Sequence, residues 1–89
     1  MLELDAEEMR VWIDGKEIEL SRRQFQILAL LEQHQGRFVP TERILTAVWG
    51  DDSLDVYAHV VPQHVYKLRR KLPGLIRSRY HRGYQLVQA

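Results

Sequence analysis

The first twenty residues alternate apolar and polar side chains, from Leu2-Glu3-Leu4 through Met9-Arg10-Val11-Trp12-Ile13 to Ile18-Glu19-Leu20. A period of two puts successive side chains on opposite faces of a strand, so the stretch predicts strands over 2–5, 9–13 and 16–20. Asp14-Gly15 falls where a two-residue hairpin turn belongs. With the turn there, Val11 opposes Ile18 and Met9 opposes Leu20. The ribbon then has one apolar face that must cover a core, with Trp12 on the other face.

At Ser21 the period lengthens. Ser21-Arg22-Arg23-Gln24 matches a capping box, in which a serine at the N-cap and a glutamine three residues on satisfy each other's backbone amides. The helix that follows should run to about residue 34. Phe25, Leu28 and Leu31 recur along one side, Arg22, Gln26 and Gln33 form a polar stripe, and Gly36 suits the C-terminal stop. Phe38-Val39 reads as a brief extended piece. Pro40 and Thr41 open a second helix in which Ile44, Leu45 and Val48 recur at helical spacing, ending near Trp49-Gly50. Asp51 to Asp55 reads as loop.

The third helix carries the most information. Proline inside a helix removes a hydrogen bond and clashes with the preceding turn, so Pro62 belongs to the first turn of a helix starting near Val61. At about 100° per residue, Val61, Val65, Leu68 and Leu72 fall within roughly 60° of one another and form the buried stripe. Gln63, Tyr66, Lys67 and Arg70 occupy the opposite face, with His64 and Lys71 on one shoulder and Arg69 on the other. After Pro73-Gly74 the stretch LIRSRYHRGYQLV predicts two short strands around a tight turn near His81, Arg82 and Gly83. The predicted fold class is α+β, a winged helix-turn-helix. It comprises an N-terminal antiparallel β-sheet (1–20), a three-helix core (21–72) with a recognition helix at about 61–72, and a C-terminal β-hairpin wing (75–88). All of it forms one domain over 1–89.

Charge changes what this fold is expected to do. The chain has 13 Lys and Arg against 12 Asp and Glu, a net charge of only +1. Residues 1–20 hold seven acids and two bases, residues 21–60 five acids and four bases, and residues 61–89 seven bases and no acid. A solvated face normally interleaves both signs, so an acid-free third points to a polyanionic partner. Other classes lose ground on the same inspection. With no cysteine and no histidine pair at helical ligand spacing, neither a disulfide framework nor a metal site is expected. The longest apolar run, Ile27 to Leu31, is far short of a bilayer span, and the acidic N-terminus does not resemble a signal peptide. A cytoplasmic chain without membrane contact is therefore expected. No phosphate-cradling glycine loop, nucleophile elbow or carboxylate pair is present, so no catalytic residue, enzymatic activity or cofactor is expected.

Reading bases in the major groove requires donors and acceptors that match base edges, and Gln63, Lys67 and Arg70 supply them on one helix face. Phosphate contacts require cations and small donors at the rim, a role open to His64, Tyr66, Arg69 and Lys71, while Arg77, Arg79 and Arg82 serve the wing. Trp49 has two readings, a core residue or an indole N–H donor to a phosphate from the helix end.

Several ordered segments resemble the effector domains of OmpR/PhoB-type response regulators. They are Leu20-Ser21-Arg22-Arg23-Gln24-Phe25-Gln26-Ile27-Leu28, Gly36-Arg37-Phe38-Val39, Leu45-Thr46-Ala47-Val48-Trp49-Gly50, His64-Val65-Tyr66-Lys67-Leu68-Arg69-Arg70-Lys71-Leu72, and Ile76-Arg77-Ser78 followed by Gly83-Tyr84-Gln85-Leu86. The resemblance implies binding to direct-repeat double-stranded DNA as a head-to-tail dimer, from a domain that is monomeric in isolation. It places base contacts at Gln63 and Lys67, phosphate contacts at Trp49, His64, Tyr66 and Arg69, and a minor-groove arginine at Arg82. It also implies that the segment 50–60 touches RNA polymerase. The chain departs from the family pattern at Pro40-Thr41, at Pro62, and at Arg79-Tyr80-His81 in the wing. No aspartate pocket of a receiver is visible, so phosphoryl control is expected from another domain or partner. The alternative from a different class is a winged-helix module that docks a protein and binds DNA weakly or not at all.

Overall fold

The computed structural model describes residues 1–34, 36–50 and 59–87. Its elements are β1 (Leu2–Asp5), β2 (Arg10–Ile13), β3 (Lys16–Ile18), α1 (Arg22–Gln33), α2 (Thr41–Trp49), α3 (Val60–Lys71), β4 (Ile76–Arg79) and β5 (Gly83–Leu86). The first three strands form an antiparallel sheet in the order β1-β2-β3, and β4 pairs with β5 in a separate hairpin.

Val11 pairs with Ile18 as the alternation predicts. The expected pairing of Met9 with Leu20 does not form, because both strands stop short of it. The Asp5 carboxylate accepts the Glu7 N–H at 3.0 Å and the Glu8 N–H at 3.3 Å, building a turn that ends β1. Met9 closes that turn at φ 55, so β2 begins only at Arg10. At the other end, the Glu19 carbonyl accepts from Lys71 Nζ at 2.8 Å, and the chain leaves the ladder to enter the cap of α1.

The capping box is present. Ser21 Oγ accepts the Gln24 N–H at 3.2 Å, and Gln24 Oε1 accepts the Ser21 N–H at 2.9 Å. Replacing Ser21 by alanine should cost about 1 kcal/mol. A thermal melt should show this as a fall of roughly 4–8 °C in Tm, and no change would mean that solvent satisfies the helix end equally well.

One core unites all three helices and both sheets. Ile27, Leu28 and Leu31 of α1, Ile44 and Val48 of α2, and Val61, Val65 and Leu68 of α3 are buried against Val11, Leu72, Ile76 and Leu86. α3 begins at Val60, one residue ahead of the expected start, and Pro62 lies in its first turn, where the N–H has no intrahelical partner to lose. The wing is fixed to the body along β5. Val39 N–H donates to the Tyr84 carbonyl at 2.7 Å, and Tyr84 N–H donates to the Val39 carbonyl at 3.0 Å. The Gln85 side-chain amide also donates to the Gly36 carbonyl. The hairpin therefore cannot swing independently of the α1–α2 connection.

Candidate nucleic-acid interface

Burying Val61, Val65 and Leu68 inward turns the other side of α3 to solvent. Gln63, Tyr66, Lys67, Arg69 and Arg70 are all exposed there. Tyr66 is 62% exposed, and the Arg70 guanidinium lies 5.9 Å from its ring centroid, a cation–π pairing one helical turn apart. Amide, phenol, ammonium and guanidinium groups thus share one open helical surface.

Of its two readings, Trp49 shows the core packing in part. Its half-buried ring packs on the core, the Arg23 guanidinium lies 5.1 Å from its centroid, and His64 meets it edge-on at 5.4 Å and 81°. Arg23 also donates to the Val48 carbonyl at 2.5 Å and to Gln26 Oε1 at 3.3 Å. A cation at the C-terminal carbonyls of α2 complements the helix dipole while holding the indole. Sequence inspection did not single out Arg23 as a site residue, because two of its partners, Val48 and Trp49, lie on another helix. His64 is half-buried, with Nδ1 2.9 Å from the Val60 carbonyl. A carbonyl only accepts, so Nδ1 carries the proton and Nε2 is the nitrogen left to face outward chemistry.

Lys71 is placed differently from the other shoulder cations. Its ammonium donates to the Glu19 carbonyl at 2.8 Å and to Gln24 Oε1 at 3.2 Å. It ties the end of α3 to the start of α1, and these bonds would have to break before Lys71 could reach a phosphate. Burial of Gln24 at 5% exposure reflects the same junction.

In the wing, Ile76 pairs with Leu86 and Ser78 with Tyr84, on the face turned toward α3. Arg77, opposite Gln85, and Arg79 project from the other face. An open cleft between α3 and the wing is lined by Pro62, Tyr66, Arg69, Arg70, Ser78 and Tyr84. Arg69 reaches Ser78 Oγ at 3.5 Å. Burial pushes the Tyr84 phenol above its ordinary value, against the opposite pull of the Arg69 charge, so the hydroxyl stays protonated and available as a donor. Ser78 and Tyr84 escaped the sequence reading as site residues. Only the hairpin register brings them beside Arg69, and the period of two that puts Ser78 on the same strand face as Ile76 was the one available signal.

The acidic N-terminal sheet stands apart from this surface. Arg10 pairs with Glu17 at 2.7 Å, and the bond holds the Glu17 carboxyl below its ordinary value. Among the described residues no group of three His, Cys, Asp or Glu side chains could hold a metal ion, and no helix is long and apolar enough to cross a membrane. Most of the segment 50–60 lies outside the described residues.

An N-terminal sheet, three helices and a β-hairpin anchored beside the third helix define the winged helix-turn-helix class. The family described as "Transcriptional regulatory protein, C terminal" matches residues 15–86, and the chain belongs to it, as an effector domain of the OmpR/PhoB type. Regulatory protein VanRB of Enterococcus faecalis is 40% identical over 89 residues, covering 99% of this chain and 40% of that protein. The chain thus spans about 40% of the length of the first curated relatives it matches. Among solved structures, the DNA-binding domain of CpxR from E. coli superposes with a TM-score of 0.85 at 33% identity, over 99% of this chain and 91% of that one. The DNA-binding domain of Bacillus subtilis CssR gives 0.84 at 30% identity, over 98% of this chain and 100% of that one.

Proposed function

We propose that this chain binds double-stranded DNA sequence-specifically as the effector domain of a cytoplasmic bacterial transcription regulator of two-component type. The observation that carries the reading is the exposed face of α3, where Gln63, Lys67 and Arg70 stand together in a third of the chain that contains no acid. α3 enters the major groove, and these three side chains meet base edges. Trp49, His64, Tyr66 and Arg69 hold the flanking phosphates, with Ser78 and Tyr84 as neutral donors in the same cleft. Arg79 and Arg82 carry the wing to the adjacent groove, while Arg77 and Lys71 have peripheral parts. A tandem of two copies, head to tail on a direct repeat, follows from the family type, as does an RNA polymerase contact through 50–60.

The test is fluorescence anisotropy of labelled duplexes titrated with this chain across several salt concentrations. Tight binding to a few sequences with a steep salt slope is expected, and weak sequence-independent binding that disappears near physiological salt would overturn the proposal. Replacing Arg82 by alanine should weaken binding to most sequences alike and lower the magnitude of the salt slope by about one. The second reading, a protein-docking module, draws on the groove lined by Ala6, Met9, Phe25, Ala29, Leu30 and Ala47, on elements other than α3 and the wing. Unchanged DNA affinity in both the Lys67→Ala and Arg82→Ala variants would favour it.

A further inference from the structure

The wing tip carries an aromatic pair that the contacts above leave unused. Tyr80 is 88% exposed, and its ring centroid lies 3.8 Å from that of His81 at a tilt of 54°. A large ring held this far into solvent gains nothing from the fold itself. The backbone that carries the pair is nevertheless held in place, and the two rings pack on each other. Arg82 N–H closes the tip onto the Arg79 carbonyl at 3.0 Å, His81 sits at φ 66, and the strands below are paired from Ile76↔Leu86 to Arg79↔Gly83. One pair below the turn, Tyr84 of the hairpin is bonded to Val39. A preordered contact group loses little entropy on binding. Its immediate neighbours, Arg79 and Arg82, are both cations.

We infer that the Tyr80–His81 pair is a minor-groove reader, entering the groove beside the site of α3 and packing its rings against the deoxyribose walls. This rests on the DNA-binding reading above. A tyrosine suits such a place because its ring is apolar and its hydroxyl can stay wet at the groove mouth. The groove floor then decides affinity. A·T pairs present only acceptors there, whereas G·C pairs project the guanine N2 amino group into the space the rings would fill. The aromatic pair therefore favours flanks free of that amino group, while Arg79 and Arg82 hold the phosphates on either wall without regard to sequence.

The experiment starts from a duplex selected by this chain out of a randomised pool, with G·C pairs placed in the segment under the wing. Exchanging those guanines for inosine removes the N2 amino group and leaves the major-groove edge hydrogen-bonding pattern unchanged. Wild-type binding should tighten about tenfold on the inosine duplex, and the gain should vanish in Tyr80→Ala but survive in Tyr80→Phe and in Arg82→Ala. No gain in the wild type, or a gain that persists in Tyr80→Ala, would overturn the assignment. A gain lost only in Arg82→Ala would also overturn it, by giving the groove to the cation. Failure to select any duplex sinks the DNA-binding proposal itself, which distinguishes the two. Because Tyr80 is exposed, its variants should melt with the wild type, so a change in Tm would expose a folding artefact.

Discussion

Replacing Gly83 by alanine should destabilise the domain by roughly 3 kcal/mol and lower its Tm by on the order of 10 °C or more. Gly83 adopts φ 102, a region that side-chain-bearing residues rarely enter. A Cβ there would stand 2.6 Å from the Val39 carbonyl carbon and 2.7 Å from Pro40 Cα, and closer still to the Val39 oxygen. These are backbone atoms that no rotamer change can move aside. Either the wing lifts from the α1–α2 connection, breaking both hydrogen bonds between Val39 and Tyr84, or the strained glycine-like backbone persists with a clash. Gly74 provides the control. It also has positive φ, at 80, but an added Cβ there would meet nothing within 4 Å, so Gly74→Ala should cost only about 1 kcal/mol. Equal melting temperatures for the two variants would show that conformational strain, and not close approach to Val39, sets the demand for glycine at position 83.

Lys67→Ala should leave the melt unchanged within about 0.5 kcal/mol and weaken binding to a selected duplex by about 2 kcal/mol, roughly thirtyfold. The separation is possible because of where Lys67 stands. It is exposed in the middle of the open face of α3, one turn after Gln63 and one turn before Arg70. No described residue accepts a hydrogen bond or ion pair from it, so its removal disturbs no fold contact. Competition against single-base variants of the duplex should show preference flattening at one position, as expected for a base contact. A uniform loss across all variants, with the salt slope reduced by about one, would reassign Lys67 to a phosphate. A loss of stability would mean that Lys67 supports the helix and not the interface.

The elements of this fold were legible wherever a local rule governed them. The period of two before residue 20 reports the sheet, the Ser21–Gln24 box reports the start of α1, and the stripe Val61, Val65, Leu68, Leu72 reports both the third helix and the side it turns to solvent. The missed strand ends have a nonlocal cause in part. Hydropathy alone extends β3 to Leu20, whereas Lys71, more than fifty residues away in sequence, engages the Glu19 carbonyl at 2.8 Å as the chain turns to the cap. The same bond removes Lys71 from the free cations on its helix, which a helical wheel cannot show.

What the sequence determined by itself is the element order, the exposed chemistry of α3 and the acid-free character of the last third, because these depend on neighbours within a turn or on counting charge. How distant side chains combine is settled by packing. Arg23 reaches Trp49 and the end of α2, Arg69 meets Ser78 and Tyr84, and Gly83 must lack a side chain because Val39 passes beside it. Each depends on two segments packed by the shared core of Ile27, Leu28, Val39, Leu68 and Leu86. Hydrophobic burial fixes those approaches without regard to sequence distance, and local patterns carry no record of them.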